Sequence, residues 1–245
     1  MMTPYNRHDL LWLSKAGREY ALQNIESCIP SVDNKDLSDD EIRTLILGPP
    51  QIPAIVRRQE AAEKGFLQVG FSSATVIDGV RLRIGSKVPV NCIERHITPF
   101  DVIKFDVTKT EKRPLPIFEI LKALLEAGNC YNIRVGCFGS AALQLATGLP
   151  YWRENSDLDI YLKNEGTRKD LDLFYRQLLK CEEQFGVTID AEIEFPGRYG
   201  VKLKELFAPG KWVLGKGLYD VVLQKKSTEE EGSHKDTKTK GKNRR

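Results

Sequence analysis

Two aspartates separated by a single residue are the side chains in this sequence best placed to do chemistry. Asp157 and Asp159 lie in the stretch 156–162 (SDLDIYL), where they alternate with Leu158 and Ile160. Because successive side chains of a β-strand point to opposite faces, a strand here holds both carboxylates on one face. Paired carboxylates provide the oxygen ligands that Mg²⁺ prefers alongside substrate phosphates. The spacing therefore predicts a metal site, and we expect it to hold two Mg²⁺ ions.

A third carboxylate is available on a later strand. The stretch 187–195 (VTIDAEIEF) repeats the alternation and holds Asp190, Glu192 and Glu194 on a single face. If the two strands are neighbours, one of these acids completes the coordination of one metal ion. At least one of the three must be ordinary surface, and the residues alone leave Asp190 and Glu192 as alternatives.

The pair Gly139-Ser140 lies between the β-like run 132–138 (NIRVGCF) and the helix-prone stretch 141–148 (AALQLATG). A helix N-terminus offers backbone N–H groups and the positive end of the helix dipole, and the serine adds a hydroxyl; all three favour a phosphate chain. Alternating aspartates also occur on solvated sheet edges, and Gly-Ser is a common turn. The order of strand, Gly-Ser, helix and paired aspartates nevertheless favours a site for phosphoryl or nucleotidyl transfer.

Two amphipathic helices flank these strands. Residues 117–127 (IFEILKALLEA) and residues 169–184 both place apolar side chains at helical spacing. With the strands between them, they predict a domain over residues 111–224 that contains a small mixed sheet flanked by helices.

A separate mixed α+β domain is predicted for residues 1–110. The stretch 108–116 (TKTEKRPLP) is charged and contains two prolines, as is typical of a domain boundary. Asp78-Gly79 between β-like runs predicts a hairpin, since Asp-Gly favours tight two-residue turns. The whole chain is therefore expected to belong to the α+β class.

Two adjacent arginines, Arg57 and Arg58, end the predicted short strand 52–58 (IPAIVRR). Guanidinium groups bind phosphate oxygens in pairs, so both arginines are candidates for binding a triphosphate. The alternative is a solvated strand end.

Charge and hydropathy exclude several classes of protein. The chain has 245 residues, and residues 1–224 carry 29 basic and 30 acidic side chains, so we expect no large nucleic-acid surface. Residues 225–245 contain no apolar side chain and are predicted to be a disordered basic tail. No run approaches the roughly 18 apolar residues of a membrane span, and residues 1–20 lack a signal-peptide pattern. We therefore expect a cytoplasmic protein without a membrane partner.

Several segments of the sequence resemble a known family. Gly139-Ser140 followed by Asp157-x-Asp159 resembles the polymerase-β-type nucleotidyltransferase superfamily. The longer string 139–162 (GSAALQLATGLPYWRENSDLDIYL) resembles more specifically the phosphoribosyl-dephospho-CoA transferases of the malonate decarboxylase system, which are holo-acyl-carrier-protein synthases. The segments 7–14 (RHDLLWLS) and 53–59 (PAIVRRQ) are similar to the same family.

The resemblance implies transfer of a 5'-phosphoribosyl-3'-dephospho-CoA unit from its triphosphate donor, triphosphoribosyl-dephospho-CoA, to a serine of the malonate decarboxylase acyl carrier protein, with release of pyrophosphate. Asp157, Asp159 and Asp190 would hold the metal that lowers the pKa of the incoming hydroxyl, and Asp157 and Asp159 the one that neutralises the departing pyrophosphate. Asp190 is preferred to Glu192 because the family's third acidic segment resembles IDAEIEFPG with its aspartate first. No histidine base is required, and His8 is left out of catalysis.

Two other functions stay open. One is a different Mg²⁺-dependent nucleotidyl transfer, such as adenylylation of a protein or small molecule, because specificity lies in the pockets rather than in the metals. The other is a non-catalytic module that binds a carrier protein. The stretches 71–85 (FSSATVIDGVRLRIG) and 214–220 (LGKGLYD) depart from the family pattern, which bears on the contacts with the donor's pantetheine or adenine.

Overall fold

The computed structural model describes residues 4–29, 39–60, 63–77, 80–104, 116–153 and 155–226. Two six-stranded sheets, each with helices, divide this part of the chain into an N-terminal and a C-terminal half. The predicted α+β class is thereby confirmed. Most of the predicted boundary segment, the Asp78-Gly79 turn and the predicted tail after residue 226 lie outside the described residues.

The N-terminal half holds a sheet in which every neighbouring pair of strands is antiparallel. Its elements are β1 (Leu10–Leu13), α1 (Lys15–Gln23), β2 (Ile25–Ile29), α2 (Asp39–Leu47), β3 (Ala54–Val56), β4 (Phe66–Ile77), β5 (Val80–Pro89) and β6 (Ile93–Ile97). The strand order is β2-β5-β4-β3-β1-β6. The predicted hairpin is therefore present as β4 and β5, and Arg57 and Arg58 directly follow β3.

A buried arginine ties this half together. Arg18 on α1 is almost fully buried and donates hydrogen bonds to the backbone carbonyls of Ile46, at 2.8 Å, and Ile52, at 2.7 Å. Ser14 caps α1 by accepting a hydrogen bond from the backbone N–H of Gly17. These contacts join α1 to the chain that leads from α2 into β3.

The C-terminal half holds a mixed sheet in the strand order β12-β11-β10-β9-β8-β7. Its elements are α3 (Pro99–Val102), α4 (Pro116–Cys130), β7 (Ile133–Cys137), α5 (Gly139–Thr147), β8 (Leu158–Asn164), α6 (Arg168–Phe185), β9 (Ile189–Phe195), β10 (Tyr199–Lys202), α7 (Leu203–Phe207), β11 (Trp212–Lys216) and β12 (Val221–Lys225). Lys225, where the sequence places the start of the tail, is the last residue of β12.

The two acidic strands are neighbours in the C-terminal sheet. β8 and β9 pair in parallel, and α6 connects them, as parallel pairing requires. α6 begins at a capping box made by Thr167 and Asp170 and ends at Gly186, which adopts the left-handed conformation with a φ of 64°. The register sets Asp159 directly beside Asp190.

The two halves contact each other through hydrogen bonds. The Arg7 side chain donates to the carbonyl of Lys216 at 3.1 Å, and the Gln59 backbone N–H donates to the carbonyl of Leu218 at 2.7 Å. The Arg81 side chain donates to the carbonyl of Tyr151 at 2.6 Å. Among the helices of the described ranges, none has the length and apolar character to cross a membrane.

Candidate active site

A cavity of about 640 Å³ opens between the two halves. The C-terminal half contributes Gly139, Ser140, Asp157 and Asp159 to its lining, and the N-terminal half contributes Arg57. The structure thus brings five of the seven sequence-predicted site residues to one cavity of a size that suits a ligand. Of the remaining two, Asp190 lies beside Asp159 on β9, and Arg58 is not part of the lining.

The surroundings of Asp159 disfavour the ionised form of its carboxyl group. Burial, followed by the negative charges of Asp190, Asp157 and Glu192, raises the pKa of Asp159 to about 7. Asp157 directly precedes β8, whereas Asp159 is the second residue of that strand. Asp159 therefore belongs to a group of carboxylates, two of which line the cavity, and a bound cation would stabilise its charge.

Gly139 lets the start of α5 approach these carboxylates closely. Its φ is 65°, in the left-handed region that favours glycine, and a Cβ there would collide with Oδ2 of Asp159. Ser140 follows as the second residue of α5. The helix therefore begins in close contact with Asp159, and Ser140 lines the same cavity as Asp157 and Asp159.

The structure separates the two alternatives for the third carboxylate by their partners. Asp190 accepts a hydrogen bond from Nζ of Lys202 at 2.9 Å and is adjacent to Asp159. Glu192 is 5% exposed and lies 3.3 Å from Nε2 of His8 and 3.6 Å from Nη1 of Arg7.

These contacts also set the charge of Glu192. Burial on its own would raise the pKa of Glu192, but the hydrogen bond with His8 and the charges of His8, Arg7 and Lys216 together lower it to about 2. Glu192 therefore joins the N-terminal segment to the sheet, which leaves Asp190 as the carboxylate beside Asp159.

Arg57 reaches the cavity because glycines make room for it. A Cβ at Gly85 would collide with Nη1 of Arg57 and with Oγ of Ser27, and a Cβ at Gly70 would lie 3.2 Å from Cδ of Arg57. Arg57 also donates a hydrogen bond to Ser27 at 3.3 Å. The Arg57 side chain is thus packed against Gly70 on β4 and Gly85 on β5, at the wall of the cavity.

Arg58, the neighbouring predicted phosphate ligand, pairs instead with Glu60. Both side chains of this ion pair are exposed, and neither residue belongs to the lining of the cavity. The two adjacent arginines therefore have different surroundings, which the sequence could not distinguish.

Further cavity residues were not singled out as ligands by the sequence. His8, which has a φ of 73°, stacks on Phe138 with ring centroids 3.9 Å apart. Arg81 and Arg83 on β5 also line the cavity. The positions of these three side chains depend on how the two halves pack, and no local sequence pattern predicts that packing. For His8, the only signal in the sequence is that segment 7–14 is similar to the transferase family.

The donor atoms suit a divalent metal ion, although the three carboxylates are not gathered around one point. Asp157 is exposed and Asp159 is partly buried, and both offer only oxygen ligands, which suits Mg²⁺. Within the described ranges no group of three His, Cys, Asp or Glu side chains has metal-ligand geometry. Asp190 pairs with Lys202 through Oδ2, so a metal would bind its other oxygen or compete with that ion pair.

Comparison with known proteins identifies both halves. Residues 105–227 match the family model of the phosphoribosyl-dephospho-CoA transferase MdcG C-terminal domain, and residues 6–99 match that of its N-terminal domain. No solved structure matches the chain.

Two curated proteins that are similar to this chain are both named phosphoribosyl-dephospho-CoA transferase. The phosphoribosyl-dephospho-CoA transferase of Xanthomonas euvesicatoria pv. vesicatoria is 32% identical over 114 residues, which is 46% of this chain and 53% of the relative. The chain therefore spans about half the length of that relative. The phosphoribosyl-dephospho-CoA transferase of Pseudomonas aeruginosa is 29% identical over 170 residues, or 67% of this chain and 74% of the relative. On the match of both of its halves, this chain belongs to the phosphoribosyl-dephospho-CoA transferase MdcG family.

Proposed function

We propose that this protein transfers a 5'-phosphoribosyl-3'-dephospho-CoA unit from triphosphoribosyl-dephospho-CoA to a serine of the malonate decarboxylase acyl carrier protein. The observation that carries the proposal is the sharing of one cavity by the carboxylates of Asp157 and Asp159, the start of α5 and the guanidinium of Arg57. Two of these groups suit a phosphate chain, and the carboxylates suit the cations that accompany one. Family membership supports this choice of donor and acceptor.

The reaction is a substitution at the α-phosphorus of the donor. The serine Oγ forms a bond to that phosphorus while the bond between the α-phosphorus and its bridging oxygen to the β-phosphorus breaks. Pyrophosphate leaves, and the hydroxyl proton is released. The products are the phosphodiester-linked carrier protein and pyrophosphate.

The chain's own groups position the triphosphate from two sides. The N-terminal N–H groups of α5 and the hydroxyl of Ser140 bind phosphate oxygens on one side. Arg57, held over Gly70 and Gly85, binds them from the N-terminal half. Because the two halves supply opposite walls, the packing between them sets the width available to the donor.

Asp157 and Asp159, joined by Asp190, are the residues that would hold divalent cations. Bound Mg²⁺ supplies neutralisation of the phosphate charges and a lower pKa for the attacking hydroxyl. The raised pKa of Asp159, caused by burial and then by neighbouring carboxylates, shows that the folded chain leaves its negative charge poorly compensated. Cytoplasmic location stays a prediction.

Release of pyrophosphate tests this proposal. The protein is incubated with Mg²⁺, triphosphoribosyl-dephospho-CoA and the apo carrier subunit, and pyrophosphate is measured by a coupled assay. We expect release that requires the carrier's acceptor serine and is abolished by Asp157→Asn. Release that proceeds with ATP in place of the donor would support adenylylation instead. Absence of release with either nucleotide, from folded protein, would contradict nucleotidyl transfer.

A further inference from the structure

Four large apolar side chains are exposed together on the last two strands of the C-terminal sheet. Trp212 and Leu214 lie on β11 and are 60% and 39% exposed, while Val221 and Leu223 lie on β12 and are 39% and 70% exposed. We call these four residues the β11–β12 face. β12 is the edge strand of its sheet. Contiguous apolar groups of this kind mark interaction sites more often than isolated exposed residues do.

The β11–β12 face lies on the same side of the sheet as the catalytic carboxylates. Gly200 on β10 pairs with Glu194 on β9 and with Lys216 on β11, and paired residues share a face. Alternation along β11 then brings Leu214 and Trp212 to that side. The opposite side chain of β11, that of Val213, is buried.

The β12 members of the face follow from register in the same way. Lys216 pairs with Val221, Leu214 with Leu223 and Trp212 with Lys225. All of these partners on β12 therefore project to the acidic side. The burial patterns agree, because Val221, Leu223 and Lys225 are the exposed members of the alternating strand β12.

The β11–β12 face and the acidic residues of β9 also lie at the same height along the strand direction, here called a level. Glu194 and Lys216 occupy one level, since both pair with Gly200. Two residues earlier on each strand, Glu192 is level with Leu214. A protein seated on this face would lie on the side of the sheet that carries these acidic side chains.

The N-terminal half contacts this side of the sheet at Glu192, through His8 and Arg7, and again at the end of β11 and the turn that follows it. Arg7 donates a hydrogen bond to the Lys216 carbonyl, and Gln59 donates one to the Leu218 carbonyl. Residues 227–245 follow β12 closely, but they contain no apolar side chain and so cannot replace water over Trp212 and Leu223. A separate molecule therefore suits the face better than residues 227–245 do.

Charge defines the chemistry of that molecule. The hairpin of residues 211–226 contains four lysines, Lys211, Lys216, Lys225 and Lys226, and a single acid, Asp220. Lys225 lies on the exposed side, paired with Trp212. A partner with an apolar centre bordered by carboxylates complements such a surface.

We propose that the β11–β12 face docks the acceptor protein and that this protein is acidic where it meets the face. The inference rests on the proposed transfer to a protein serine, because only a macromolecular acceptor needs an apolar surface on the side of the sheet that carries the carboxylates. Trp212 is the anchor of the interface, and the lysines of the hairpin orient the approach.

Binding of the apo malonate decarboxylase carrier subunit to the full chain, without donor, tests the proposal. The variants are Trp212→Ala and Leu223→Ser, both at exposed positions, with unfolding temperatures measured for each. The matched control is Leu179→Ser, at a leucine that is 41% exposed on α6, which packs against α4 and β7 at the opposite edge of the sheet. We expect Kd to rise about tenfold or more in the first two variants and to stay unchanged in the control. Lys225→Gln is expected to slow association and weaken its salt dependence.

Transfer kinetics separate docking from chemistry. In the two face variants we expect KM for the carrier to rise by the same factor as Kd, with KM for the donor and kcat unchanged. Wild-type affinity for the carrier in both face variants would overturn the docking proposal, as would a wild-type protein that binds no carrier. A wild-type dimer that Leu223→Ser dissociates without loss of carrier binding would assign the face to self-association, and would also overturn it. Carrier binding that the face variants lose, in a protein without transfer activity, would support docking and contradict only the proposed function.

Discussion

The carboxylate of Asp159 occupies the space that a side chain on Gly139 would need. Oδ2 of Asp159 lies within collision distance of a Cβ built on Gly139, whose φ of 65° also favours glycine. The first residue of α5 and the second residue of β8 are therefore fitted to each other. The start of α5 and the carboxylate of Asp159 therefore leave no room for a side chain at position 139.

Gly139→Ala is expected to reduce kcat/KM for transfer by about 100-fold, because a displacement of the order of 1 Å at a reacting centre has an effect of that size. Gly148→Ala is the matched control, since Gly148 has a similar φ of 73° and nothing within 4 Å of a Cβ. Both variants should lose roughly 1 kcal/mol of stability from backbone strain, and Gly139→Ala should lose more because its Cβ collides with Asp159. Equal activities in the two variants, measured by pyrophosphate release, would contradict the close fit of Gly139 and Asp159.

The packing of Arg57 against Gly70 and Gly85 leads to a second prediction. Arg57→Gln should raise the Kd for the donor about tenfold or more, since hydrogen bonds to charged groups contribute more than neutral ones. Arg58→Gln should leave it unchanged, because Arg58 pairs with Glu60 outside the cavity. Titration calorimetry with triphosphoribosyl-dephospho-CoA measures both.

Gly85→Ala tests the same contact by changing the glycine instead of the arginine. A Cβ at Gly85 collides with the Arg57 guanidinium, so this variant should weaken donor binding, and combining it with Arg57→Gln should add little further loss. Additive losses would show that Gly85 acts independently of Arg57. A donor Kd that responds to Arg58→Gln and not to Arg57→Gln would reverse the assignment of the two arginines.

The raised pKa of Asp159 predicts a pH-dependent stability. Its pKa of about 7 exceeds the ordinary value of 3.8, because of burial and then of the neighbouring carboxylates. The folded protein therefore holds this proton more tightly than the unfolded chain, and the free energy of unfolding falls as the pH rises from about 4 through 7.

Asp159→Asn removes that loss of stability. Without divalent cations, we expect this variant to unfold about 5 °C or more above the wild type at pH 8, with a smaller difference at pH 5. Scanning calorimetry in the presence of a chelator measures it. A difference that does not change with pH, or a variant less stable than the wild type at pH 8, would contradict the electrostatic strain at Asp159.

Much of the C-terminal half follows from local patterns in the sequence. Alternation over 156–162 and 187–195 predicts β8 and β9, although β8 runs two residues later than its pattern. Helical periodicity over 169–184 predicts α6, which spans Arg168–Phe185. These patterns suffice because each element buries one face, and burial imposes its period on the sequence.

The rest of the site depends on packing that no local pattern records. Arg57 and Arg58 are equivalent in the sequence, and only the glycines at 70 and 85 on other strands select Arg57 for the cavity. Asp190 and Glu192 share one face of β9, and only the arrival of His8 and Arg7 from the other half removes Glu192 from the acidic group. The sequence therefore gives the elements that carry the site and leaves its membership open.

Mg²⁺-dependent stabilisation distinguishes Asp190 from Glu192. A cation that binds only the folded protein raises its unfolding temperature by mass action. We expect Asp190→Asn to remove this increase. Glu192→Gln should keep it but lower the unfolding temperature at every Mg²⁺ concentration, since a buried partner of Arg7 and His8 is lost, at a cost of about 3 kcal/mol. The opposite pair of results would assign the third carboxylate to Glu192.

Intact-mass spectrometry of the carrier protein tests the central claim most directly. The apo malonate decarboxylase carrier subunit is incubated with this protein, Mg²⁺ and triphosphoribosyl-dephospho-CoA, and Asp157→Asn serves as the control. We predict a mass gain equal to one phosphoribosyl-dephospho-CoA unit with the wild type and none with the variant. An unmodified carrier after incubation with folded wild-type protein that binds the donor, or an equal gain with Asp157→Asn, would contradict the account.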